Sequence, residues 1–358
     1  MRPWTALVPC SLLLVACAGG TTSRVTPPTT SPLTVTSSPE IAPLVETRHW
    51  NLGPVADIAV GQDSVYLLYS PPTSEGALAN STDTRLARID RASGVVVTVG
   101  PFPFARHIAL AGSVLWIGPN NQYQGTSAPD SRMLVGVDAR TLDTLQKLTL
   151  PAESSQTQLV ANLASDSNSV WVAYGSHIYR MAAAGGRTLA SRSIDGIATG
   201  IALEPAGRRL YVAIDGLTAA VSATITEFDA ATLQPLVSAA TGGAGLGGPQ
   251  VAAGANDLWV SYATGMLGQV EHRQASNLAE LPIAFALHSN GVHVFQASGI
   301  VWVIDTMAGE LICLDPETGA ARATWATREG GVVAGDGTGT YFGDIMGVGS
   351  LQPDARCR

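Results

Sequence analysis

The sequence predicts an all-β fold: a seven-bladed β-propeller of four-stranded blades whose last blade is completed by the N-terminal strand. Three observations predict it. An apolar segment carrying an aromatic recurs seven times, the turns between the segments share one chemistry, and the composition is hostile to helices. The chain has 358 residues, 46% of them hydrophobic and 13% charged, with 38 Gly and 21 Pro. That apolar content excludes a wholly disordered chain. The Gly and Pro content, with Lys147 as the sole lysine, excludes helical bundles and coiled coils.

The recurring segments are Val65-Tyr66-Leu67, Leu115-Trp116-Ile117, Val170-Trp171-Val172, Leu210-Tyr211-Val212, Leu258-Trp259-Val260, Val301-Trp302-Val303 and Thr340-Tyr341-Phe342. Their aromatics lie about 40 to 55 residues apart, the period of a propeller blade. A turn rich in Gly, Asp, Asn or Ser precedes each. Before that turn lies a strand of small apolar residues, as in Ile58-Ala59-Val60, Ile108-Ala109-Leu110, Ile201-Ala202-Leu203 and Val251-Ala252-Ala253. Downstream, four units carry Asp-x-x-Ser/Thr: Asp90 with Ser93, Asp138 with Thr141, Asp229 with Thr232 and Asp315 with Thr318. An Asp at that place accepts hydrogen bonds from the backbone ahead of it and favours a tight hairpin. Each unit therefore offers four short strands and no helix.

The stretch from Gly299 through Asp305 to Asp315-Pro-Glu-Thr-Gly319 resembles the repeats of YVTN, NHL and streptogramin-lyase-like propellers. The resemblance spans about residues 45–358 and implies the fold. It is silent on activity, because such propellers host unrelated functions. Counting supplies the closure. The seventh unit, from Val332, has room for three strands, and Leu44–Leu52 is an outer strand without a blade of its own. It completes the last blade, so residues 44–358 are expected to form one domain. Cys313 falls in the third strand of blade six and Cys357 near the corresponding strand of blade seven, so a disulfide between them is predicted.

The first forty residues read as an address. Residues 1–16 carry one Arg and then an apolar run too short to span a bilayer, the pattern of a secretory signal peptide. Leu14-Val15-Ala16-Cys17 resembles the bacterial lipobox, which implies cleavage before Cys17 and a lipid on its sulfur. Residues 17–43, rich in Thr, Ser and Pro, are expected to be a disordered tether. The chain is thus expected outside the cytoplasm, anchored to a bacterial membrane through Cys17, as a monomer. Net charge is −8 with no basic tract, so nucleic acid is excluded as a partner.

Propeller geometry places the residues just before each inner strand around the mouth of the central channel. They are Asp57, His107, Asn162, Gly200, Gln250 and His293, with an apolar seventh position near Val332. Asp57, His107, Asn162, Gln250 and His293 are the candidate ligand-binding set. Two His and an Asp are donor types that suit a divalent cation, although no cofactor is predicted. The longest loops share that face, and Asn120, Asn121, Gln122 and Tyr123 form a second candidate set, polar with one aromatic face, suited to peptide or carbohydrate.

No catalytic motif accompanies these residues. A Gly-x-Ser-x-Gly elbow is absent. The glycines at 242–248 lack the Lys-Ser/Thr of a phosphate loop. His107 matches the inner-strand His of the streptogramin lyases, but the Glu residues that hold their metal have no counterpart after Trp116 or Trp302. The reading is a non-enzymatic binding or scaffold module for a protein, peptide or glycan. The alternative is a metal-dependent lyase or other small-molecule enzyme at the channel mouth.

Overall fold

A computed structural model describes residues 41–72, 82–120, 132–152, 160–216, 223–241, 248–264, 267–283, 287, 291–328, 330–352 and 355–357. Residues 38–358 form one compact unit that contains every described strand.

The chain enters through β1 (Ile41–Pro43) and β2 (Glu46–Asn51). Blade one follows as β3 (Val55–Val60), β4 (Ser64–Tyr69), β5 (Arg85–Asp90) and β6 (Val96–Val99). Blade two is β7 (Ala105–Ala111), β8 (Val114–Pro119), β9 (Met133–Asp138) and β10 (Thr144–Thr149). Blade three is β11 (Asn162–Ser165), β12 (Ser169–Tyr174), β13 (His177–Ala182) and β14 (Thr188–Ser193). Blade four is β15 (Ile197–Leu203), β16 (Arg209–Asp215), β17 (Thr224–Asp229) and β18 (Pro235–Ala240). Blade five is β19 (Gln250–Ala253), β20 (Asp257–Thr264), β21 (Leu267–Gln274) and β22 (Glu280–Leu281). Blade six is β23 (Val292–Ala297), β24 (Ile300–Asp305), β25 (Glu310–Leu314) and β26 (Ala321–Ala326). Blade seven is β27 (Val332–Asp336), β28 (Gly339–Gly343) and β29 (Gly347–Leu351).

Each blade is an antiparallel meander in chain order. The first strands β3, β7, β11, β15, β19, β23 and β27 touch their neighbours in a closed ring, β27 meeting β3. Closure is as the sequence predicts: β2 pairs with β29 as the fourth strand of blade seven, with Trp50 opposite Val348. The first strand adds something further, because β1 lies parallel to β26 and gives blade six a fifth strand.

The recurring aromatics sit on the second strands and fill the space between blades. Trp116, Trp171, Trp259 and Trp302 are all fully buried. Three of these second-strand aromatics also latch to the next blade. Trp116 Nε1 donates to the carbonyl of Ala183, Trp171 Nε1 to Ala230 at 2.8 Å, and the Tyr211 hydroxyl to Ala275. The three carbonyls occupy the same place in the hairpin between third and fourth strands. The Asp turns form as expected. Asp138 Oδ1 accepts from the amides of Arg140 and Thr141 at 2.8 and 2.7 Å, and Asp90, Asp229 and Asp315 do the same. Cys313 and Cys357 form a disulfide that ties blade six to the turn after β29.

Candidate functional site at the channel mouth

The inner strands of blades one, two and four open with a β-bulge. Register shifts between Val55 and Asp57, between Ala105 and His107, and between Ala198 and Gly200. An extra residue in one strand re-aims the side chains beside it. At the mouth it lets a polar side chain reach the backbone of the adjoining blade.

Asp57 does this most completely. Its Oδ1 accepts from the amide of Ile58 at 2.9 Å, and its Oδ2 from the amide of Ile108 in blade two at 2.9 Å. The same Oδ2 lies 3.2 Å from His107 Nδ1. A second such staple joins blades four and five. Gln250 Nε2 donates to the Thr199 carbonyl at 2.6 Å, while Thr199 Oγ1 donates to the Pro249 carbonyl at 2.6 Å. Thr199 is a mouth residue that the repeat alignment missed by one position. The bulge inserts it, and nothing in the sequence marks a bulge there. Asn162 is buried, its Nδ2 3.5 Å from the Val160 carbonyl. At Gly200 a side chain would press into the Gln250 backbone, 3.1 Å from its Cα, so the glycine permits the close approach of β15 and β19.

His293 stands apart from these staples. Its side chain is open to water, yet channel wall surrounds it. That enclosure, together with the Arg106 cation and the nearby His107, pushes its pKa down to about 4. The ring is neutral at pH 7 and can donate from one nitrogen and accept at the other.

The structure thus brings Asp57 and His107 into contact but does not gather His293 with them as ligands. Among the described residues no three His, Cys, Asp or Glu side chains converge to hold a metal ion. The cation expectation for this mouth therefore finds no ligand set. Of the loop candidates, Asn120 is buried and bridged to Val160, part of the fold rather than of a rim surface. Asn121, Gln122 and Tyr123 lie outside the described residues, as does Cys17.

This geometry defines a closed β-propeller with a polar mouth stapled blade to blade. No protein-family model matches the sequence, and no curated protein matches it. Among solved structures the chain is similar to BamB from Moraxella catarrhalis, with a TM-score of 0.54 and 14% identity over 83% of this chain and 84% of that one. At that identity the similarity speaks for the fold alone. Because 1250 solved chains match, the architecture by itself selects no activity.

Proposed function

We propose that this chain is a lipid-anchored, extracytoplasmic propeller that binds a protein, peptide or glycan partner without catalysing a reaction on it. One observation carries the reading. Asp57, Gln250 and Thr199 at the mouth are committed to backbone hydrogen bonds between blades, which tie the ring together. A catalytic centre needs a nucleophile, base or metal set held free to react, and among the described residues no ligand set for the lyase alternative is gathered. Rigid rings with recognition on the rim loops fit binding instead. The Cys17 lipobox supplies the anchor in this reading.

The test has two arms. Cells expressing the full chain are fed an alkyne-tagged fatty acid, and the wild type takes the label while Cys17→Ala does not. The 38–358 unit is then screened on peptide and glycan arrays beside an Asn121→Ala/Gln122→Ala/Tyr123→Ala variant. Binding present in the wild type and lost in the triple variant supports the reading. Unlabelled wild type overturns the anchor. Binding that survives the loop substitutions, or no binding to any array member, overturns the recognition.

A further inference from the structure

A cavity with a volume of about 350 Å³ lies between blades one and two. The connection from β6 to β7 roofs it with Phe102, and Val99, Met133, Val135 and Leu142 form its walls. Val135 and Leu142 belong to the core, while Val99, Phe102 and Met133 are packed against that core and stay partly open. Lys147 completes the lining. It stands opposite Val135 in the β9–β10 ladder, so its methylene stem can run along the wall while the ammonium stays at the rim.

That ammonium is unusual in this chain. It belongs to the only lysine of a protein of net charge −8, and no acidic side chain among the described residues pairs with it. Five apolar side chains on the wall of a cavity of a few hundred Å³, with polar groups beside them, fit a small-ligand site. A lone cation at the rim sets the sign of the ligand's polar end.

We propose that this cavity binds an amphipathic carboxylate, with its alkyl or aryl body against Phe102, Met133 and Val135 and its carboxylate beside the Lys147 ammonium. The proposal does not depend on the function proposed above. Phe102 and Met133 give walls that adapt to ligands of different shape, Met most of all. The apolar body supplies most of the affinity, and the exposed ion pair supplies selectivity.

The single lysine makes the test site-specific. Residues 38–358 contain the closed ring, its core and the disulfide, and that unit is used with ¹³C-dimethylated amines, which keep their charge. Hexanoate, heptanoate and octanoate are titrated beside octanol and octylammonium. The Lys147 methyl signal is expected to shift with the carboxylates. Affinity is expected to rise about fourfold per added methylene until the cavity is full. Octanoate is expected to bind about two- to fivefold better than octanol, a preference that fades in high salt and in Lys147→Gln. Thr144→Trp, at an exposed position of the lining, is expected to block the cavity. The proposal fails if octanoate leaves the Lys147 signal unmoved, if octylammonium binds as well as octanoate, or if Lys147→Gln keeps the carboxylate preference.

Discussion

Reducing the Cys313–Cys357 bond is expected to destabilise the propeller by about 4 kcal/mol. The bond closes a loop over a sequence separation of 44 residues. Loop-closure entropy for that length is about 13 cal/mol/K, or about 4 kcal/mol at 25 °C. The loop encloses β27, β28 and β29, three of the four strands of blade seven, the blade on which ring closure depends. Cys313 is fully buried and Cys357 nearly so, both within the apolar cluster around Trp302 and Trp325. Urea unfolding of oxidised and reduced wild type, followed by tryptophan fluorescence, measures the difference with no cavity introduced by mutation. For a chain this size the midpoint is expected to fall by about 1 M. Cys313→Ala/Cys357→Ala adds a small cavity cost and should lie slightly below the reduced protein. Coincident curves for oxidised and reduced protein would refute the reasoning, since the bond would then restrict no freedom that matters in the unfolded chain.

Trp171→Phe removes the donor to Ala230 and leaves that buried carbonyl unpaired, so a loss of about 2–3 kcal/mol is expected in thermal unfolding. Asp57→Ala strips partners from the Ile58 and Ile108 amides at the junction of blades one and two, and a loss of about 2 kcal/mol is expected in urea. Stability is expected to fall as pH drops from about 6.5 towards 4, because His293 at about 4 and the buried His272, also lowered by burial, stay neutral in the fold while the unfolded chain takes up protons. Below that, Asp315 and Asp336, both at about 2, contribute stability that is lost as pH falls from 3.8 towards 2; unfolding midpoints measured from pH 8 to 3 check the histidine part and the onset of the carboxylate part. Removing residues 38–43 strips β1 from β26 and bares an edge beside Trp325, so association that grows with concentration is expected in light scattering.

The ring was legible because each blade must solve the same packing problem with the same residues. An aromatic at the third position of the second strand recurs in all seven blades, so counting it counts blades, and the Asp turn in four of them sets the spacing of the hairpins. Closure was legible for the same reason: seven second strands with only six complete blades leave one fourth strand missing, and Glu46–Asn51 supplies it. The pairing of β1 was not legible, since Ile41-Ala42-Pro43 is too short to show a period and its partner lies some 280 residues away. The mouth was half legible. Repeat alignment found Asp57, His107 and Gln250, whose side chains do cross between blades or meet across them. It passed over Thr199, because a bulge shifts register without leaving a sequence mark. The Lys147 cavity is a tertiary product of two blades and a connection, and no feature of the sequence pointed towards it.

The staples also constrain what the mouth can recognise. A carboxylate or amide that caps a neighbouring blade's backbone cannot turn to a ligand without leaving a buried amide or carbonyl unpaired, at a cost of about 1–3 kcal/mol. Asp57, Gln250 and Thr199 are therefore poor ligand contacts. His293 is held neutral by its enclosure and by Arg106 and His107, so it adds hydrogen-bonding capacity but no charge. The permanent charges named at the mouth are the Arg106 cation and the Asp57 carboxylate, one of each sign. Such a balance gives little attraction for a polyanionic cofactor and suits a neutral polar group such as a sugar hydroxyl or a peptide amide. An anion, by contrast, can find a cation with no acidic partner among the described residues at Lys147, between blades one and two.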